Sequence, residues 1–307
     1  MVKVRTLVLL LAIIPFSVAV VNAQNYSSYL KKARAKLEKG DCQGAMNNYD
    51  IYKSYTGKME ADVEQAIREC FSNSVPTQER ITFKVGDVSF DMIYVEGGTF
   101  VMGNDKGEAY EDERPAHNVT LKGYYISETE VTQELWTAVM GSNPSAFKGD
   151  NLPVESVNYN DCGAFCRELS QSLDKTFRLP TEAEWEFAAS GGVKSKGEKF
   201  SGSSEIEKVA WYTENSENKT HPVKTKEPNE LGIYDMSGNV WEWCSDWYGD
   251  YDAEDATNPQ GPQNGTDRVL RGGCWYNFPG LCRVTNRGDY TPVNRGYYHG
   301  FRIVMVK

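Results

Sequence analysis

The chain has 307 residues, of which 43 are Asp or Glu and 33 are Lys or Arg, and its formal net charge is −10. Nucleic acids and anionic lipid surfaces bind stripes of Lys and Arg, so this acidic balance argues against both as partners. A chain of this length buries about three quarters of its unfolded surface, so it needs neither a metal nor a disulfide to fold.

The N-terminus has the pattern of an export signal. Lys3 and Arg5 precede an apolar run that ends at Val21, and Ala23 completes a small-residue cleavage site. The alternative is a membrane anchor, but a span needs about 20 apolar residues and this run is shorter. We therefore expect residues 1–23 to be a signal peptide, with no transmembrane segment after its removal. The mature protein is then exported to the periplasm, the cell surface or the medium.

Residues 24–75 are expected to form a separate helical module. Apolar residues recur at three-to-four spacing on both sides of Gly40-Asp41, and again in ADVEQAIRECF. This pattern predicts a helical hairpin and a third helix, similar to a single tetratricopeptide-like unit. One such unit cannot bury a continuous core, so we expect residues 26–74 to pack on the main domain or on a protein or peptide partner.

Seven cysteines in an exported chain allow disulfides and leave at least one thiol over. Cys42 and Cys70 lie in the helical module, where a bond between them would join its helices. Cys162 and Cys166 are four residues apart in the predicted helix DCGAFCRELSQSL, so they share one face with poor geometry for a mutual bond. We expect these two to be buried apolar side chains.

Residues 76–83 are expected to be a linker, followed by a main domain over residues 84–307. The segment ITFKVGDVSFDMIYV alternates apolar and polar residues around Gly86-Asp87, which is typical of a β-hairpin. After Gly191, long loops rich in Gly, Asn, Asp and Tyr dominate. The pattern favours an irregular, loop-rich α+β domain.

Two helices are predicted between the hairpin and these loops. In TEVTQELWTAVM, Thr129 is the expected N-cap. In PTEAEWEFAAS, Thr181 is the expected N-cap and Glu184, three residues later, completes a capping box.

Six phrases of the main domain occur together in a fixed order. They are VEGGTFVMG, ISETEVTQELW, RLPTEAEWEFAASGG, GIYDMSGNVWEWCSDW, RVLRGGCWYN and GFR. In this order they resemble the sulfatase-modifying-factor family, whose namesake, the formylglycine-generating enzyme, oxidises a cysteine of sulfatases. The resemblance covers residues 84–307 and implies a compact, loop-rich α+β fold related to C-type lectins.

The family's oxidase needs two cysteines in one loop, whose thiolates bind a cuprous ion that activates oxygen. Counting forward from the Gly-Gly pair, Cys274 takes a serine position, Asn277 the first cysteine position and Cys282 the second. Counting backward from Arg287, the loop is shorter than the family's and Cys282 falls outside the pair. On either count one thiolate is missing, so we do not expect copper to bind.

Two alternatives remain for these cysteines. Cys274 and Cys282 are eight residues apart and are the candidates for a displaced catalytic pair. Otherwise Cys274 replaces a small serine, while Cys282 packs in the core or pairs with Cys244.

The resemblance also implies a calcium site in DMSGNVWEW. Calcium takes six to eight oxygens from carboxylates and main-chain carbonyls. The alternative is that the two carboxylates of this segment only accept hydrogen bonds from loop amides. The implied ligands are Asp235, Gly238, Val240 and Glu242.

Aromatic and arginine side chains are concentrated in the last third of the chain. Trp and Tyr are favoured on surfaces that hold a ligand. The composition of this tail also resembles the variable tails of retroelement-diversified lectin-fold proteins. Arg283, Arg287 and Arg302 are expected to be buried braces paired with acids rather than ligand-binding groups. The predicted ligand-binding residues are Tyr276, Asn277, Phe278, Tyr290, Tyr297 and Tyr298.

The leading hypothesis is an exported binding or scaffold protein that keeps this fold without copper oxidase chemistry. One alternative is an active formylglycine-generating oxidase, or another enzyme, that uses Cys274 and Cys282. Another is a structural component of a cell-surface assembly that docks through residues 26–74.

Overall fold

The structure is a computed structural model that describes residues 16–39, 41–74 and 79–306. The chain divides into two units between Thr77 and Gln78. Most of the predicted signal peptide, residues 1–15, lies outside the described residues. Among the helices that are described, none is long and apolar enough to cross a membrane.

The first unit has the predicted hairpin and third helix. Asp41 is the N-cap of the second helix, because its carboxylate accepts the N–H of Gly44. Ala33, Tyr49 and Ile67, one from each helix, are buried in a common core. The helices are α1 (Phe16–Leu37), α2 (Cys42–Thr56) and α3 (Ala61–Ser74). The predicted bond between Cys42 and Cys70 falls on side chains outside those described.

The second unit contains twelve described strands. They are β1 (Arg80–Val85), β2 (Val88–Val95), β3 (Gly98–Met102), β4 (His117–Leu121), β5 (Tyr124–Ser127), β6 (Phe177–Arg178), β7 (Trp241–Trp247), β8 (Ala256–Thr257), β9 (Arg268–Arg271), β10 (Arg287–Tyr290), β11 (His299–Gly300) and β12 (Val304–Val306). They form sheets in the orders β1-β2-β5-β12-β6, β10-β9-β7-β11 and β3-β4-β8. The last strand lies between β5 and β6, so the C-terminal segment completes the largest sheet.

Four described helices accompany these sheets. Helix α5 is capped by Asn158 and buries Cys162 and Cys166 as expected. Helix α6 has the predicted capping box, in which Thr181 and Glu184 each accept the other's backbone N–H. The helices are α4 (Gln133–Met140), α5 (Tyr159–Leu173), α6 (Glu182–Ala189) and α7 (Ile206–Val209).

Two sequence-based boundaries differ from the structure. The predicted linker, 76–83, overlaps β1, because residues from Arg80 onward pair with β2 across the expected turn at Gly86. The N-cap of α4 is Thr132 rather than Thr129, and the Thr132 hydroxyl accepts the N–H of Leu135. Thr129 comes too early because Val131 still donates its N–H to the backbone of another segment.

Helix α6 is buried on every side, although three of its residues are glutamates. Each glutamate is paired with an arginine from another segment. Both oxygens of Glu184 accept from Arg178, at 2.7 Å each. Glu182 accepts from Arg287 at 2.7 and 2.9 Å, and Glu186 accepts from the fully buried Arg271. Buried charges need such partners, because an unpaired ion in the interior is expensive.

Two further arginines complete this set of braces. Arg283 pairs with Glu113, and both groups are buried. Arg302 donates to both oxygens of Glu242, at 2.6 and 2.7 Å. The expectation that Arg283, Arg287 and Arg302 are buried braces is therefore confirmed.

We predict that Arg287→Ala lowers the free energy of unfolding by about 3–5 kcal/mol, because the buried Glu182 loses both charge-assisted hydrogen bonds and keeps only Arg271, 3.6 Å away. Arg295, in the same segment, forms an ion pair with Asp161 that is exposed. Arg295→Ala should therefore cost less than about 1 kcal/mol. Chemical denaturation of both variants measures the difference. Equal effects would show that the buried pair does not brace the fold.

Candidate functional site

The loop between β9 and β10, which we call the reactive loop, is held at both ends by buried ion pairs. Arg271 ends β9 and Arg287 begins β10, and both bind glutamates of α6. Gly272 and Gly273 open the loop with φ values of 94° and 73°. A Cβ on Gly273 would lie 2.7 Å from the carbonyl oxygen of Leu281, so glycine is required where the loop closes on itself.

Both cysteines of the reactive loop are fully buried. Cys274 packs in the main core, while Cys282 packs in a separate cluster with Phe200 and Ile206. Burial raises the pKa of the Cys274 thiol strongly, and it raises that of Cys282 to about 12. Neither sulfur is therefore a thiolate near neutral pH. Cys282 and Cys244 are both free thiols, so the alternative of a disulfide between them is wrong.

Asn277, predicted to bind a ligand, is turned into the protein instead. Only 7% of it is exposed. Its side-chain oxygen accepts the backbone N–H of Cys274 at 2.9 Å and the Sγ of the same residue at 3.0 Å. The side chain of Asn277 therefore holds Cys274 in place. The sequence did not predict this contact, because an irregular loop has no periodicity that shows which way a side chain points.

Aromatic side chains of the reactive loop and the segment before β11 lie at the surface. Phe278 is 71% exposed, Tyr297 51% and Tyr276 38%. The ring of Tyr298 lies 5.0 Å from that of Tyr276 and 5.1 Å from that of Tyr297. Trp275, which is buried, packs beneath at 5.1 Å from Tyr276. We call Tyr276, Phe278, Tyr297 and Tyr298 the aromatic patch.

The remaining predicted ligand residue, Tyr290, lies deeper. It is partly buried and packs against the main core, with its ring 4.5 Å from that of His299. His299 is buried, and burial lowers its pKa to about 3, so the imidazole is neutral at neutral pH. Tyr290 and His299 thus support the aromatic patch from below through Tyr298, whose ring lies 4.4 Å from His299.

Asp235 and Glu242, the two carboxylates of the predicted calcium site, have different hydrogen-bond partners. Asp235 is buried, its Oδ2 accepts the N–H of Lys224 at 2.8 Å, and desolvation raises its pKa to about 6. Glu242 instead gives both oxygens to Arg302, and one of them also accepts from the Trp185 indole at 2.7 Å. Asp235 suits a hard cation, whereas Glu242 is already neutralised.

The backbone around Asp235 brings in a carboxylate that the sequence did not suggest. Gly238 has a φ of 79° and donates its N–H to Gly272, which joins this segment to the reactive loop. Val240 donates its N–H to the buried Glu130 at 3.2 Å. Desolvation, followed by the charges of Asp235 and Glu242, raises the pKa of Glu130. In the described residues, no group of three or more His, Cys, Asp or Glu could hold a metal ion.

Comparison with known proteins matches residues 82–307 to one family, described as a sulfatase-modifying factor enzyme 1-like domain. The chain is 36% identical over 270 residues to the chaperone protein LppX of Paenibacillus barcinonensis, covering 72% of this chain and 91% of that protein. It is 31% identical over 280 residues to the formylglycine-generating enzyme of Streptomyces coelicolor, covering 68% and 87%. Treponema denticola variable protein 1, a solved structure, matches with a TM-score of 0.70 and 37% identity, covering 74% and 99%.

Proposed function

Because this chain belongs to the family of sulfatase-modifying factor enzyme 1-like domains, we propose that it is an exported binding protein that uses the family fold without copper oxidase chemistry. One observation carries the proposal: the reactive loop buries both of its thiols and exposes the rings of Tyr276 and Phe278. A cuprous oxidase site needs sulfurs that copper, oxygen and the substrate can reach, and both of these thiols are buried. Export rests on the signal-like residues 1–23, and N-terminal sequencing of the secreted protein tests it.

The ligand class that fits the aromatic patch is a protein or peptide. Exposed Tyr and Phe side chains offer large faces at low entropic cost, and such residues supply much of the binding energy of protein interfaces. A relative at 36% identity is named a chaperone protein, which supports a role in holding another polypeptide. Tyr276, Tyr298 and Tyr297 of the aromatic patch are joined by ring contacts, and Phe278 follows Tyr276 closely in the same loop.

The first unit offers a second surface for a partner. Met46, in the first half of α2, is partly exposed. Met59, just after α2, is 70% exposed. Methionine side chains adapt to different partners. These residues support the scaffold form of the proposal, in which residues 26–74 dock to another protein.

We also propose that calcium stabilises the segment around Asp235. The buried Asp235 and Glu130 carry more negative charge than the nearby Arg302 and Lys224 neutralise, because Arg302 already pairs with Glu242 and Lys224 with Glu128. Asp235 and the carbonyls of Gly238 and Val240 would hold the ion, and its charge would offset this excess.

The oxidase alternative is tested with a sulfatase-derived Cys-x-Pro-x-Arg peptide, copper and oxygen. We expect no formylglycine, because neither Cys274 nor Cys282 reaches the surface as a thiolate. Mass spectrometry of the peptide measures the product, and a formylglycine-generating enzyme assayed in parallel is the positive control. Formation of formylglycine that is lost in Cys282→Ser would overturn the proposal.

If the aromatic patch binds unfolded polypeptides, the triple variant Tyr276→Ala, Phe278→Ala, Tyr297→Ala should be a weaker suppressor of aggregation. We expect it to need at least about tenfold more protein than the unaltered chain to prevent aggregation of a heat-unfolded test protein. Light scattering measures aggregation. Val101→Ala is the matched control, because this exposed side chain lies on β3, outside the aromatic patch. If the triple variant and the control act like the unaltered protein, the aromatic patch is not the binding surface. A double variant, Met46→Ser with Met59→Ser, reports separately on the first unit.

Calcium is predicted to raise the melting temperature over that in a chelator, with a stabilisation of about 2.7 kcal/mol at about 100 times its dissociation constant. Asp235→Asn should remove most of this effect. Asp87→Asn, in the exposed turn between β1 and β2, should keep it. Calorimetric scans with and without calcium measure the shift. An unchanged melting temperature for the unaltered protein would refute the site.

A further inference from the structure

An acidic cavity of about 450 Å³ lies beside helix α6, formed by residues other than those of the aromatic patch. Its rim carries the exposed carboxylates of Asp250, Asp252 and Glu254, and its inner wall the buried carboxylates of Glu182 and Asp246. The volume falls within the roughly 300–1,000 Å³ of small-molecule sites. Because carboxylates line both its rim and its inner wall, the cavity favours a cation.

The basic groups that line this cavity are already engaged. Arg287 donates to both oxygens of Glu182, at 2.7 and 2.9 Å, and to the carbonyl of Asp112 at 2.8 Å. The Nδ1 of His117 lies 3.1 Å from the carbonyl of Pro115. Arg287 thus neutralises Glu182 and leaves Asp246 without a cation in this wall.

Asp246 is the group that points to a ligand. It is 3% exposed, and its Oδ2 accepts the N–H of Glu182 and the hydroxyl of Ser245, each at 3.0 Å. Neither donor is charged, and no ion pair reaches Asp246 within the part of the chain that the structure describes. Desolvation, followed by the charge of Glu182, raises its pKa to about 7. The guanidinium groups of Arg178 and Arg268 act on Asp246 through space, without an ion pair. A ligand that donates directly to the carboxylate would therefore lower the cost of its burial.

The side chain of Asp246 packs against the segment 259–262 and itself lines the cavity. A Cβ on Gly261 would lie 2.8 Å from the Cβ of Asp246 and 3.0 Å from its Oδ1. The same segment lines the cavity. Oδ1 accepts no hydrogen bond from the described residues, so it is open to a donor that enters from solvent.

We propose that this cavity binds a primary ammonium group, carried by a free amine or by a lysine side chain. An ammonium group is a compact charge that can donate a hydrogen bond to a single oxygen, and Oδ1 of Asp246 has no other donor among the described residues. A guanidinium binds best through two parallel hydrogen bonds to both oxygens of a carboxylate. The three rim acids attract the cation from solution.

Titration calorimetry of the full chain with cadaverine and with Nα-acetyl-lysine amide tests the proposal. We expect saturable binding of at least one amine, weakened about 10–100-fold in Asp246→Asn. This variant keeps an oxygen for the N–H of Glu182, and its melting temperature checks that it folds. Asp255→Asn is the matched control, because Asp255 is exposed and does not line the cavity. Its affinity should stay within about twofold of the unaltered protein.

The double variant Asp250→Asn, Asp252→Asn gives an independent measurement at the rim. It should weaken binding about 2–5-fold and reduce its dependence on salt, because these charges act through solvent. Binding of cadaverine alone identifies a free amine as the ligand class, and binding of the lysine amide alone identifies a lysine side chain. Failure of both amines to bind at about 10 mM would overturn the proposal. Equal affinity in Asp246→Asn, or equal binding of Nα-acetyl-arginine amide, would overturn it as well.

Discussion

The pairing of three buried glutamates on α6 with three arginines is the constraint from which the second unit takes its shape. A helix with no solvent-facing side can carry Glu182, Glu184 and Glu186 only if a cation meets each carboxylate. Arg178 comes from just before the helix, whereas Arg271 and Arg287 come from far along the sequence and lie at the two ends of the reactive loop. The ion pairs that neutralise the buried glutamates therefore also position the loop that carries the candidate ligand-binding residues.

Both ends of the reactive loop are held by ion pairs, and packing determines the conformation of the residues between them. Gly272 and Gly273 allow the chain to close on itself, and Asn277 fixes Cys274 from within the loop. Cys274, Trp275 and Cys282 thus face inward, while the rings of Tyr276 and Phe278 remain at the surface. The proposed binding role rests on these exposed rings.

Buried negative charge exceeds buried positive charge in two other places of the same unit. Around Asp235 and Glu130, the guanidinium of Arg302 is committed to Glu242. Around Asp246, Arg287 is committed to Glu182. In both places the arginine that braces the fold forms an ion pair with one carboxylate and leaves another without an ion pair among the described residues. The two proposed cation sites, one for calcium and one for an ammonium, both rest on this arrangement.

The sequence by itself determined the features that depend on local pattern. The ordered phrases identified the fold, the turn at Gly86 and the capping box of Thr181 followed from local chemistry, and spacing on α5 placed Cys162 and Cys166 in the core. The arginine braces were also predicted, since so many guanidinium groups among apolar residues need buried acids. Local pattern failed at Thr129, because contacts from distant segments delay the start of α4.

Only the tertiary structure decided which way each loop side chain points and which partner it meets. Asn277 and Phe278 are neighbours in a loop without a regular period, yet one is buried and the other is 71% exposed. The sequence did not single out Glu113 and Glu130, because their partners lie more than a hundred residues away. Asp246 was expected to pair with an arginine, but it accepts hydrogen bonds from Glu182 and Ser245 instead. Periodicity specifies faces of helices and strands, whereas side-chain direction in loops is set by long-range contacts that no short window contains.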